Sequence, residues 1–476
     1  MSTTSENDAT SVAASTIKSH LKTLRKAIRK DAPYTAGVHH LKPEELAIYY
    51  SVDGDHPREI NLGNASKNEL QDLAAACQKA TFGLNQEDVL DETYRKAGKM
   101  DLDKFATRLD VLSSGLLAAI RPTIMQGQAE ADNKTLIAEL YKLNVYGPGS
   151  FFKAHQDTPR SDTMIGSLVI AFPTPHEGGE LTLEHDETVW TFDSAAKIAQ
   201  SAHPSSSVAY VAFYSDVIHT VEPVKSGYRV TLTYNLFLRD EAIHSLTNGG
   251  TRVLPAHHPD RLFDNTLRTL LADEEFLPNG GLLGFGLTHR YPIPSDEKHN
   301  RIEPLLKLLK GSDARIRSVA EDVGLSTKVK IVYDTYTVGY SYTSREDAKD
   351  ILANDVINLD DWNEEVDGPL EEALESHGVV LSYDDEDDSG DATDETRVHW
   401  VVRFNRRNIA KSRYIGQGNE ASMQFVYGSA ALFVEVPAVG RGVRAVGHDD
   451  VGDEGEQEVD EGKRKHKKRK TTHPAM

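Results

Sequence analysis

Between residues 136 and 240 the chain runs through strand after strand, none followed by a helix of the length a parallel α/β sheet would need. The segments LIAELYKLNVYG, TMIGSLVIAFPT, GELTLEHDETVWTF, SVAYVAFYSDVIHTV and YRVTLTYNLFL are rich in β-branched and aromatic residues, with Gly and Pro turns as punctuation. A parallel α/β sheet needs a crossover helix after its strands. The block therefore predicts an antiparallel double sheet or barrel.

Upstream, helical signals dominate. TIKSHLKTLRKAIRK (16–30) sets Ile17, Leu21, Leu24 and Ile28 on one face with lysines and arginines opposite. Such a basic amphipathic helix can meet a membrane or an acidic partner, but packing on its own protein is the simpler use. SKNELQDLAAACQKA opens on a capping candidate, Ser66, and DKFATRLDVLSSGLLAAIRPTIMQGQAEA has helical periodicity. The expected organisation is α+β: a disordered leader at 1–15, a mainly helical region at 16–135, and a β core at 136–240. Helical patterns and strands then mix over 241–445, a C-terminal domain or extension, before an acidic then basic disordered tail at 446–476. The acidic run DDEDDSGDATDE (384–395) is too charged to bury and reads as an exposed loop.

Composition narrows the setting. A net charge of −21 argues against binding nucleic acid through bulk electrostatics, and leaves only the basic run KRKHKKRK (463–470) for that role or for nuclear import. The single cysteine, Cys77, excludes an intrachain disulfide and fits a reducing compartment. No apolar run reaches membrane-spanning length, and the polar N-terminus lacks the pattern of a signal peptide. An intracellular, soluble protein is expected, nuclear if the basic tail is an import signal.

The chemistry is expected in the strand block. His155 and Asp157 stand one residue apart in SFFKAHQDTP, and alternate positions of a strand point to one side. His219, in YSDVIHTVEPVKSG, could supply a third ligand from a distant strand. Two histidines and a carboxylate on one face of a divalent metal are the ligand set of non-haem Fe(II) oxygenases, with three coordination positions left open. Further on, alternation sets Arg229, Thr231 and Thr233 on one face of YRVTLTY. A guanidinium inside a small barrel costs several kcal/mol unless an anion meets it, and its planar fork suits a carboxylate. Tyr146 could add a hydroxyl to the same anion.

The run Tyr146, Gly149, Phe152, His155, Asp157, then GGEL at 178–181, then His219, Pro223, Val224, Gly227 and Arg229 resembles the Fe(II)/2-oxoglutarate dioxygenases of the prolyl 4-hydroxylase type. The resemblance spans roughly 136–240 and implies a double-stranded β-helix (jelly roll) core. It implies iron on His155, Asp157 and His219. It also implies 2-oxoglutarate held at its distal carboxylate by Arg229, with Tyr146 and Thr231 beside it. O₂ would be the oxidant, ascorbate could serve as a reductant, and a protein side chain would be hydroxylated as succinate and CO₂ leave. The pattern departs from prolyl 4-hydroxylases at Arg229, where they commonly carry Lys, and this bears on the substrate rather than on the co-substrate.

Other readings of these residues stay open: a coincidence of polar strand positions, a catalytically silent relative, or a jelly roll that keeps metal as a structural pin and binds partners. An oxygenase acting on nucleic acid would resemble a branch with a second arginine soon after the first; TLTYNLFLR offers none before Arg239. A small-molecule substrate is a further alternative. HEGGE (176–180) lacks the second histidine of a zinc-protease helix, and its glycines oppose a helix. In EHDE, His185 and Asp186 would face opposite ways on a strand. His39, His40, His257 and His258 read as solvated loop residues, and Cys77 as a small apolar group. The C-terminal half could hold a second, non-catalytic jelly roll; GLTHRYP offers His289 but no His-x-Asp partner set. Nothing in the chain indicates an oligomeric state.

Overall fold

A computed structural model describes residues 4–52, 57–84, 87–127, 134–161, 163–240, 261–294, 300–334, 350–382, 396–416 and 422–445. The acidic run at 384–395, the basic run at 463–470 and His257–His258 lie outside them.

The strand block folds as its alternation requires. A seven-stranded sheet has the order Tyr34–His40, Ser207–Tyr214, Met164–Ala171, Arg229–Asp240, Lys134–Tyr146, Gly98–Met100, Gln78–Lys79. A five-stranded sheet has the order Thr188–Phe192, Leu181–His185, Ile218–Val221, Phe151–His155, Arg95–Lys96. Every pairing within both sheets is antiparallel. The inward positions of the two sheets share one core: Leu143, Leu168, Phe213 and Leu232 from the first meet Phe152, Leu181, Leu183 and Val221 from the second.

The region 16–135 is not mainly helical, and here the structure corrects the periodicity. Two helices appear as expected, Lys67–Ala76 and Leu116–Ile124. The first starts on a reciprocal cap, in which Ser66 Oγ accepts from the Glu69 N–H and the Glu69 carboxylate accepts from the Ser66 N–H. The remainder is mostly short strands, because distant strands recruit it. Gly98–Met100 pairs with Leu143–Val145, and Tyr34–His40 pairs along its full length with Ser207–Phe213. Cross-strand partners far away in sequence override weak local propensity. The leader also differs from expectation, since one helix runs from Thr4 to Ala27. Its apolar stripe packs on its own protein: Leu24 and Ala27 are buried among Phe263, Leu267, Phe276 and Leu283, with Ile17, Leu21 and Ile28 at the margin. That core belongs to the C-terminal half, so the first helix serves the far end of the chain.

The C-terminal strands form a second seven-stranded sheet, in the order Gly281–Gly286, Thr396–Val402, Val379–Ser382, Asp350–Ala353, Ser326–Asp334, Ser422–Val436, Ile409–Gly416. Gly281–Gly286 also pairs with Ser422–Val436, which closes the sheet on itself. Two of its pairings, both made by Thr396–Val402, are parallel. This mixed, closed sheet differs from an antiparallel jelly roll, the form considered above for this half.

One buried carboxylate joins the halves. Asp216, in the turn between Ser207–Tyr214 and Ile218–Val221, receives Lys310 Nζ on Oδ1 at 2.9 Å. Its Oδ2 takes His185 Nε2, His289 Nδ1 and the Arg290 N–H, each at 3.1 Å. Burial by itself would raise this carboxyl; Lys310 and the two histidines outweigh burial and hold it well below the usual carboxylate range. Asp216→Asn strands the buried Lys310 ammonium and is expected to cost about 3–5 kcal/mol in urea unfolding at neutral pH. A depressed carboxyl contributes stability that is complete above its unfolded value, about 3.9, and is lost as pH falls through the folded one. The gap between wild type and variant should therefore narrow below about pH 4, and a constant gap down to acid pH would contradict the assignment.

Candidate metal centre

Strand register brings the two predicted histidines together. Phe151–His155 pairs antiparallel with Ile218–Val221, and His155 falls directly opposite His219. Their ring centroids are 4.0 Å apart. Each ring is oriented by its own backbone: His155 Nδ1 lies 2.8 Å from the Lys153 carbonyl, and His219 Nδ1 lies 3.2 Å from that of Val217. With Nδ1–H donated to a carbonyl, Nε2 presents a lone pair, the arrangement usual for metal-binding imidazoles.

Asp157 joins them by a route that alternation did not anticipate. The strand ends at His155, and Asp157 lies in the irregular segment beyond it. Its carboxylate is aimed instead by the Ser167 hydroxyl, which donates to Oδ2 from the neighbouring strand Met164–Ala171. Oδ1 stands 3.8 Å from His219 Nε2. One ligand atom from each of His155, Asp157 and His219 falls within 4.8 Å of the others. Burial, then the neighbouring His219, lowers the His155 imidazole, which favours its neutral, ligating form. Burial raises the Asp157 carboxyl, yet His219, the Ser167 hydroxyl and His155 bring it net below the ordinary value.

A second group, His185, Asp216 and His289, is equally compact among the described residues. It suits hydrogen bonding better than metal. The Lys310 ammonium already occupies one Asp216 oxygen, and three N–H or ring nitrogen contacts crowd the other. Reading the sequence by local spacing missed this group, because its members come from three separate segments and His289 from the other half of the chain.

The strand Arg229–Asp240 contributes a buried cation at its first residue. Arg229 pairs in register with Tyr146, and its guanidinium carbon sits 5.5 Å from that ring's centroid. Arg229, Thr231 and Tyr146 are all buried. Arg229 Nε and Thr231 Oγ1 nonetheless have no hydrogen-bond partner among the described residues. Burial lowers the Arg229 guanidinium, and nearby Tyr146 and Glu180 only partly oppose this. Orphaned donors on and beside a buried cation suit an anion. Two further residues emerge only in three dimensions. His176 carries a buried Nε2 without a partner among the described residues, and burial, helped by Arg229, lowers its imidazole. Arg95 donates to Asn144 Oδ1 at 2.9 Å and lies 4.4 Å over Phe152, whose ring stacks on His155 at 3.4 Å.

Residues 141–237 match the family model described as the 2OG-Fe(II) oxygenase superfamily. This segment belongs to that superfamily. The match makes the chain an oxidoreductase of the dioxygenase class, and implies Fe(II), 2-oxoglutarate and O₂ as what the site takes. No curated protein matches the chain. Among solved structures, a Pseudomonas putida prolyl 4-hydroxylase is 21% identical, over 46% of this chain and 99% of its own, with a TM-score of 0.27. A Trichoplax adhaerens prolyl hydroxylase, solved with a peptide fragment of the hypoxia inducible factor oxygen degradation domain, is 14% identical over 47% and 91%, with a TM-score of 0.27. The viral collagen prolyl hydroxylase of Paramecium Bursaria Chlorella virus-1, in complex with 2-oxoglutarate, is 15% identical over 39% and 97%, with a TM-score of 0.20.

The residues of the oxygenase segment fit the implied groups. Two imidazoles and a carboxylate suit Fe(II), and the unpaired Arg229 and Thr231 donors suit the far carboxylate of a dicarboxylate. Gly179 makes room for Arg229. Its φ is +73°, and a Cβ there would come within 2.9 Å of Arg229 Cδ and of Val224 Cγ2. The GG pair thus does more than turn the chain. Gly179→Ala should displace the guanidinium and raise the 2-oxoglutarate concentration needed for half-saturation by about tenfold, the loss of roughly one charged hydrogen bond. Equilibrium binding of 2-oxoglutarate to the Fe(II)-loaded variant measures this, and unchanged binding would contradict the packing argument.

Proposed function

We propose that the chain is an Fe(II)/2-oxoglutarate-dependent dioxygenase of the prolyl hydroxylase-like type that hydroxylates a protein side chain. The observation that carries this reading is the conjunction of a compact His155–Asp157–His219 group with a buried Arg229 whose Nε has no hydrogen-bond partner among the described residues. A metal-pinned scaffold needs only the first; an enzyme that takes 2-oxoglutarate needs both. In this reading residues 136–240 are a jelly roll, the leader and tail flank the folded part, and 241–445 is a non-catalytic partner unit. The protein substrate is supported by the motif run from Tyr146 to Arg229, and nuclear import by the KRKHKKRK run.

Within this reading each side chain has a defined task. His155 and His219 offer Nε2 to the metal, with their Nδ1 atoms committed to backbone carbonyls. Asp157 offers Oδ1, since Ser167 engages Oδ2. Arg229 and Thr231 hold the distal carboxylate of 2-oxoglutarate, and Tyr146 closes that end of the pocket. Bound Fe(II) with 2-oxoglutarate and O₂ supplies the oxidising chemistry, with succinate and CO₂ as products and ascorbate as a candidate reductant. The protein positions the reactants and excludes water. Buried Phe152 and Phe213, whose rings lie against His155 and His219, shield the ligands from solvent.

Anaerobic titration of the full chain with Fe(II) and 2-oxoglutarate tests the assignment through the visible charge-transfer band of the chelate. Wild type should develop the band, Asp157→Ala should lose it, and Arg229→Ala should need about 10–100-fold more 2-oxoglutarate, as expected for removing a charged hydrogen-bonding partner. No band in folded wild type would overturn the oxygenase reading in favour of a binding module.

A further inference from the structure

The segment carrying Asp157 poses a positioning problem. Asp157 lies beyond the strand end, and metal ligands generally depend on further partners to hold their orientation. Ser167 fixes one carboxylate oxygen but not the path of the backbone. Gln156 stands between the two ligands and is bound on both sides. Its Nε2 donates to the Asp216 carbonyl at 2.6 Å, and its Oε1 accepts from Arg290 Nη1 at 2.8 Å. The Arg290 backbone N–H donates in turn to Asp216 Oδ2 at 3.1 Å. Gln156, Asp216 and Arg290 therefore close a ring of hydrogen bonds around the His-x-Asp segment.

The C-terminal half holds its side of this ring rigidly. The Asp313 carboxylate accepts the N–H groups of Thr288 and His289 and the hydroxyl of Tyr291. The Asn408 amide bridges the His289 carbonyl and the Tyr291 N–H. Arg407 binds the Thr288 carbonyl and reaches Asp186 in the strand block. Gly311, at φ +56°, packs so closely that a Cβ there would lie 2.4 Å from His289 Nε2. Arg290 is thus an exposed side chain on a braced backbone, the condition for a precise contact.

We propose that Gln156 and Arg290 form a clamp between the two halves, anchored on Asp216, which positions the His155–Asp157 segment for metal binding. The proposal rests on the oxygenase reading for its metal, but its mechanical part does not. Neither residue is a ligand; both act through the segment they hold. The C-terminal half then contributes to the metal centre without supplying a ligand to it.

The test uses the full chain with Gln156→Ala, Arg290→Ala and Arg290→Lys. These avoid Asp216, whose loss could unfold the protein. Two quantities are compared with wild type: millisecond-labelled hydrogen exchange of residues 152–158 without metal, and Fe(II) affinity by anaerobic titration. Both alanine variants should exchange faster in that segment and bind Fe(II) about tenfold more weakly, the lower end of effects seen for partners that orient metal ligands. Their melting temperatures should stay within a few degrees of wild type, and Arg290→Lys, which keeps a donor for Gln156, should recover most of both losses. Exchange and affinity equal to wild type would overturn the clamp. Faster exchange with unchanged Fe(II) affinity would overturn its positioning role. If wild type binds no Fe(II), the proposed function fails, and the exchange comparison alone decides whether the clamp exists.

Discussion

The register of Phe151–His155 against Ile218–Val221 is the constraint on which the site depends. A sheet has a side-chain period of two, so a slip of one residue would turn every side chain of a strand to the other face. His155 faces His219 only in the observed pairing. Phe152 lies opposite Val221 and both are buried, which anchors one end of the pair. An irregularity between Phe152 and His155 then shifts the register by one residue and brings His155 opposite His219 rather than Ile218. The apolar anchor and the bulge together set the histidine pair.

The polar interior shows the reverse bargain. Among the described residues, Arg229, Thr231 and His176 carry buried polar atoms without partners, which a fold selected for stability alone would avoid. Asp216 and Lys310 are also buried and charged, but they satisfy each other and two histidines. Asp216 and Lys310 thereby fasten elements together, whereas the Nε of Arg229 is left without such a partner among the described residues, as the proposed function requires.

Much of the strand block could be read directly, because its signals are local. Alternation marked the strands, and His155, Asp157, His219, Arg229 and Thr231 followed from residue type and spacing. Asp157 was placed with the histidines for an incomplete reason: the Ser167 hydroxyl, rather than strand alternation, aims it. What spacing could not show is pairing over distance. The strands Gln78–Lys79 and Gly98–Met100 form because the core sheet recruits them, and the Asp216 cluster joins His185 to His289 and Lys310 across the boundary between the halves. EHDE and GLTHRYP were each unremarkable alone; only the fold brings them into one hydrogen-bonded group.

The joining of the halves also bears on the order of events during synthesis. The strands from 134 to 240 pair among themselves and leave the ribosome before the C-terminal half, as domains commonly fold while the chain is still being made. Asp216 is then buried or exposed without Lys310, His289 or Arg290, all of which come later. The closing strand of the C-terminal sheet, Ser422–Val436, arrives later still. A nascent chain therefore carries His155, Asp157 and His219 well before it carries Arg290 and the residues that brace it, so synthesis separates in time the two sides of the hydrogen-bonded ring around Asp216.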